Sequence, residues 1–117
     1  MKDRGLELFG SRLRTLILIY LAMLEETYAG EMAVLIGVSR VTVYRALKDL
    51  EAEGFVAGTL AGRERWVRLN PRNGVFKSLS YLLVQLGENR PEIMAQLSKI
   101  RRRPRRRGKP IGAESSS

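Results

Sequence analysis

The sequence predicts a mainly α domain with one small β-hairpin and a basic C-terminal tail. Three observations point that way. Apolar residues recur at three- and four-residue spacing through most of residues 6–53 and again through 74–86, as amphipathic helices require. The period switches to two over residues 55–69, where a turn containing Gly62 separates two short runs. Beyond Pro104 the chain is mostly Arg, Gly, Pro and Ser, with almost nothing to bury, and is expected to stay disordered until bound.

The elements follow in order. Residues 6–26 read as a first helix, with Leu13, Ile17, Tyr20, Leu21 and Leu24 on one face and Leu16, Ile19 and Met23 on a second. A helix that is apolar around most of its circumference needs more than one burial partner. The second partner is either a later helix of the same chain or another subunit. Residues 30–37 read as a short helix, with Met32, Ala33 and Ile36 inward and Gly37 as its breaker. Ser39 can then cap a third helix running to Glu53, its hydroxyl accepting from a first-turn N–H. Val43, Ala46, Leu47 and Leu50 give that helix one apolar stripe, and Gly54 supplies the stop.

Residues 55–60 and 65–69 read as paired strands around a turn at 61–64. Val67 and Leu69 alternate with Trp66 and Arg68. The Asn70, Pro71, Asn73, Gly74 cluster closes the unit. A fourth helix over 74–86 carries Phe76, Leu79, Leu83 and Leu86 on one stripe, widened by Val75 and Leu82, and Gly87 is expected to end it. Pro91 suits the first turn of a fifth, short helix whose apolar edge is Ile93, Met94, Leu97 and Ile100.

Composition narrows the function. The 117 residues contain neither Cys nor His. Disulfides, iron–sulfur centres, Cys/His zinc sites and His-based triads are therefore excluded. No Gly-rich phosphate loop or acid/base pair stands out, so an enzyme is not expected and no cofactor or metal is implied. The acidic residues Glu25, Glu26, Asp49, Glu51 and Glu53 read as helix-surface groups serving solubility and intrahelix pairing. The longest charge-free apolar run, residues 15–24, is too short for a bilayer span of ~20 residues. Asp3 and Glu7 argue against reading it as a leader. No membrane association is expected, and a cytoplasmic, nucleoid-associated location is.

The formal net charge is +9, from 21 basic and 12 acidic side chains. Eight of the basic groups fall in residues 99–109. Residues 1–98 keep 13 basic against 11 acidic, so a nearly neutral globule carries a polycationic arm. Arg101, Arg102, Arg103, Arg105, Arg106, Arg107 and Lys109 form that arm, and a polyanion is its natural partner.

The stretch from Gly30 to Val56 is GEMAVLIGVSRVTVYRALKDLEAEGFV. With small Ala33, the Gly37-Val38-Ser39 turn, the Thr42-Val43-Tyr44-Arg45 segment, and Leu47 and Leu50 leading into Glu53-Gly54, it resembles the winged helix-turn-helix DNA-binding domain of bacterial and archaeal transcription regulators of the MarR and ArsR kind. The resemblance spans residues 10–88. It implies a winged helix-turn-helix domain over 1–88, to which the residue patterns add a short C-terminal helix over 89–103 and a disordered basic tail over 104–117. ArsR-type metal sensing has no Cys or His here to rest on.

The helix after the glycine turn would then lie in the major groove. Its apolar stripe points inward, leaving Ser39, Arg40, Val41, Thr42, Tyr44, Arg45 and Lys48 for DNA. Arg pairs bidentately with guanine, and Thr or Val meets a thymine methyl. The hairpin would act as a wing, with Arg63 and Arg65 on the backbone or minor groove. Trp66 reads as packing. Arg107-Gly108-Lys109-Pro110 resembles an AT-hook core with Lys109 for the second Arg, although sequence-independent phosphate affinity is the favoured role of the arm.

The function expected is that of a sequence-specific, double-stranded-DNA-binding transcriptional regulator, a homodimer repressing by occlusion. Leu16, Ile19, Met23, Leu79, Leu82, Leu83 and Leu86 would form the dimer. Two alternatives stay open: an architectural, replication or segregation DNA-binding protein with weak sequence preference, or a winged-helix interaction module with an RNA-binding tail. The operator and any small-molecule effector are not legible in the sequence.

Overall fold

A computed structural model describes residues 7–100. The described elements run α1 (Arg12–Leu24), α2 (Ala29–Ile36), α3 (Arg40–Ala52), β1 (Val56–Ala61), β2 (Glu64–Leu69), α4 (Phe76–Glu88) and α5 (Pro91–Leu97). The basic arm and the tail lie outside the described residues, as does the first part of the residue 6–26 expectation.

The central element is α1. Thr15 through Leu21 are all buried, and the helix touches α2, α3, α4 and β2. It begins at Arg12, six residues later than its apolar pattern suggests. Gly10 takes φ +106°, a left-handed conformation that favours glycine, and Ser11 then caps the helix by accepting from Arg14 N–H at 3.1 Å. The buried Thr15 hydroxyl is satisfied locally, donating to the Ser11 carbonyl at 2.8 Å and accepting from Phe9 N–H at 3.2 Å.

The second apolar face of α1 is covered within the chain, by α4. Gly87 makes this possible. It does not stop α4, as the sequence suggests, but lies inside the helix, buried against α1. A Cβ there would collide with Met23 and come within 2.9 Å of Ile19 Cγ2. Four of the seven residues assigned to a dimer interface, Leu16, Ile19, Leu79 and Leu83, are thereby consumed in the chain's own core. They cannot line an intersubunit surface without opening that core. Met23 and Leu86 are half-buried, and Leu82 is exposed.

The hairpin is antiparallel and in register from Val56↔Leu69 to Ala61↔Glu64, so its loop is only Gly62-Arg63. Gly62 has φ +65° and Arg63 does not share the positive φ, the pattern of a type II′ turn. Thr27 adds an isolated antiparallel bridge on the free side of β2. Its N–H donates to the Val67 carbonyl at 3.0 Å, and Val67 N–H returns the bond at 2.8 Å. The base of the hairpin is thus held on both sides. Asn70 and Asn73 also donate to the Gly54 carbonyl, at 3.1 and 3.0 Å, fastening the hairpin's exit to the end of α3. No helix among the described residues is long and apolar enough to cross a membrane.

Candidate nucleic-acid interface

The helix-turn-helix is built by two caps that meet at one glycine. Gly37 ends α2 in the left-handed region, at φ +84°, where its N–H reaches the Ala33 carbonyl at 2.8 Å. Two residues later Ser39 begins α3, accepting from Thr42 N–H at 3.1 Å. The Ser39 and Thr42 hydroxyls also share a hydrogen bond of 2.8 Å. Both side chains assigned to DNA therefore already shape the helix start, each keeping hydroxyl valence for a further partner.

The apolar stripe of α3 is buried as its spacing requires: Val43, Ala46, Leu47 and Leu50 face the core. The opposite face is open to solvent. Arg40, Val41, Thr42, Tyr44, Arg45 and Lys48 are all exposed. Lys48 Nζ lies 5.8 Å from the Tyr44 ring centroid, within cation–π range, which orders two of the long side chains on that face.

The hairpin stands beside this face. A cleft of about 190 Å³ separates the two, walled by Arg40, Tyr44 and Lys48 from α3 and by Arg63 and Arg65 from the hairpin. Arg63 is the loop residue itself and is exposed at the tip. Arg65 is placed differently. It lies within β2 on the same face as Val67 and Leu69, and its guanidinium donates to the Glu51 carboxylate of α3. The two arginines grouped together by sequence thus separate, one at the open tip and one in an internal ion pair.

The acidic residues of α3 also differ from expectation. Glu51 pairs with the hairpin. Glu53 accepts a bidentate pair of hydrogen bonds from Arg14 of α1, at 3.0 and 2.5 Å. The hydrogen bond to Arg14 holds the Glu53 carboxyl below the usual carboxylate range. These carboxylates bind other elements, where intrahelix pairing was expected, because both sit in the last turn or cap of α3, where α1 and the hairpin converge. Arg14 also donates to the Phe9 carbonyl at 2.7 Å, so it ties the N-terminal segment to the end of α3.

Trp66 packs, as its sequence context suggests. Its ring meets Tyr28 edge-on, with centroids 5.0 Å apart and planes at 68°. At the far side, Gln96 of α5 donates to the Leu35 carbonyl at 2.8 Å, satisfying an acceptor in the last turn of α2.

No protein-family model matches the chain, and no curated protein does. Solved structures do. The adhesin competence repressor AdcR of Streptococcus pyogenes is 18% identical with a TM-score of 0.58, covering 84% of this chain and 71% of that one. A point mutant of Lactococcus lactis ZitR is 15% identical with a TM-score of 0.57, covering 85% and 62%. The transcriptional regulator Tm0710 of Thermotoga maritima is 22% identical with a TM-score of 0.55, covering 82% and 64%. These neighbours are winged-helix transcription regulators of the MarR family. At such identities the likeness is one of fold: helices and a two-stranded hairpin in the winged helix-turn-helix arrangement. The chain spans under two thirds of the ZitR and Tm0710 chains it matches.

Proposed function

We propose that the chain is a double-stranded-DNA-binding transcriptional regulator that reads a specific site. The observation that carries this is the joint presentation of one cationic surface by two elements. The exposed face of α3 offers Arg40, Arg45 and Lys48, and the hairpin tip offers Arg63 across the cleft that Arg40 and Lys48 line. A helix with Arg, Thr and Val outward suits base edges in a major groove, and an Arg at a hairpin tip suits the adjacent backbone or minor groove. The fold shared with transcription regulators supports the same reading.

The protein acts as a homodimer, two recognition helices meeting half-sites about one turn, ~34 Å, apart. It represses by occluding its site. The polybasic arm, Arg101 to Lys109, adds phosphate contacts that strengthen binding to any duplex.

The test is a salt titration of duplex binding by fluorescence anisotropy. It compares DNA upstream of the protein's own gene with a scrambled duplex, using the full chain and residues 1–100. A preference of about a thousandfold or more that survives truncation is the expected result. Equal affinity for both duplexes, lost on truncation, would replace this reading with an architectural role dominated by the arm.

A further inference from the structure

The inner face of the hairpin is where the second arginine finds its function. Strand pairing places Val56, Gly58 and Leu60 of β1 opposite Leu69, Val67 and Arg65 of β2 on that face. Gly58 and Arg65 are diagonal neighbours. Because Gly58 has no side chain, the Arg65 guanidinium folds over it. A Cβ at Gly58 would come within 2.6 Å of Arg65 Cζ and 2.7 Å of Nη2, and the three nearest atoms all belong to Arg65. Across this saddle the guanidinium reaches Glu51. Glu51 sits one helical turn beyond Leu47 and Lys48, which in turn follow Tyr44, on the side of α3 that faces the hairpin. The pair is partly withdrawn from solvent, with side-chain exposures of 39% for Arg65 and 26% for Glu51.

We infer that Gly58, Arg65 and Glu51 form a latch that sets the distance between the wing and the recognition helix. Arg65 is a positioning residue, and Arg63 is the wing's DNA contact. This rests on the DNA-binding reading above and adds to it. The base of the hairpin is already held by Thr27, Asn70 and Asn73. Nearer the tip, Trp66 packs on Tyr28 on the outer face; on the inner face the latch ties the hairpin to α3 and orients the Arg63 tip against Tyr44 and Lys48. A groove-binding helix and a wing must meet DNA together, so the span between them decides whether both can bind at once.

The latch makes a prediction of unusual sign. Removing a carboxylate from a surface that binds a polyanion ordinarily strengthens binding. Glu51→Gln in the full chain should instead weaken binding to the preferred duplex by about three- to fivefold, the scale of a partly exposed ion pair. Arg65→Gln should weaken it equally and leave the salt slope unchanged. The double variant should be no worse than either single one. Gly58→Ala should reproduce the loss, because the three atoms nearest its methyl all belong to the guanidinium, the movable end of Arg65.

Tighter or unaltered binding by Glu51→Gln overturns the latch. So does a fall of about 0.9 in the salt slope for Arg65→Gln alone, which marks a direct phosphate contact. Amide hydrogen exchange on the free protein decides the point without DNA. Residues 58–66 should exchange about three- to fivefold faster in both single variants, with the α1 core amides unaltered. Unaltered hairpin exchange overturns the latch. A wild-type chain that binds no duplex, with both single variants still showing the exchange effect, refutes the DNA-binding reading and leaves the latch standing.

Discussion

Arg45 and Arg65 show how position separates two side chains of the same chemistry. Arg45 lies mid-helix on the exposed face of α3 and can project into a groove. Arg65 lies on the inward face of a strand and is spent on Glu51. Arg45→Ala is therefore expected to cost about 1–3 kcal/mol of specific binding and to relax base preference at one position. Anisotropy against a panel of single-base variants checks this, and an unaltered preference profile would move the recognition surface elsewhere. The inward placement of Arg65 was legible in the sequence, since the alternation that buries Val67 and Leu69 puts Arg65 on the same face. What the alternation could not supply was Glu51, fourteen residues earlier on another element. Pairing between elements has no periodic signature.

Among the elements, glycines carried most of the disagreement between pattern and structure. Gly37, Gly54 and Gly62 all adopt positive φ, at the breaks their contexts suggest. Gly87 does not. Its lack of a side chain serves packing, letting α4 close on Met23 and Ile19 of α1. Gly87→Ala is accordingly expected to destabilise despite the better helix propensity of Ala, worth about 1 kcal/mol. Overpacking of an inflexible core costs about 1–3 kcal/mol. A net loss near 1 kcal/mol would lower Tm by about 4–8 °C in a domain of this size, measurable by calorimetry. A raised Tm would mean that Met23 and Ile19 yield freely. A helix-stopping glycine and a helix-packing glycine look alike in sequence, because both interrupt an otherwise apolar pattern.

At the scale of the whole molecule, α1 is covered by α4 from the same chain, so the deepest apolar face is not what a second subunit would use. Large exposed apolar side chains remain on α4 and α5: Tyr81 at 70%, Leu82 at 42% and Met94 at 41% exposed. The proposed homodimer is expected to use this outer surface of α4. Light scattering at tens of micromolar should report twice the 13.2 kDa chain mass, and Leu82→Glu should return it to one copy with little effect on stability. A strict monomer in the wild type would require the proposed half-site geometry to be abandoned.

The sequence by itself determined the order of the elements, the turn and cap that start α3, the inward stripe of Val43, Ala46, Leu47 and Leu50, and the exposed basic face opposite. Each of these depends on residues near one another in the chain, through helical or strand period and local hydrogen bonding. Only the tertiary structure decided which partner covers α1, what Arg65, Glu51 and Glu53 bind, and that Thr27 adds a rung to the hairpin. Those outcomes depend on contacts between distant segments. There a single methyl, as at Gly58 or Gly87, determines whether two surfaces can meet.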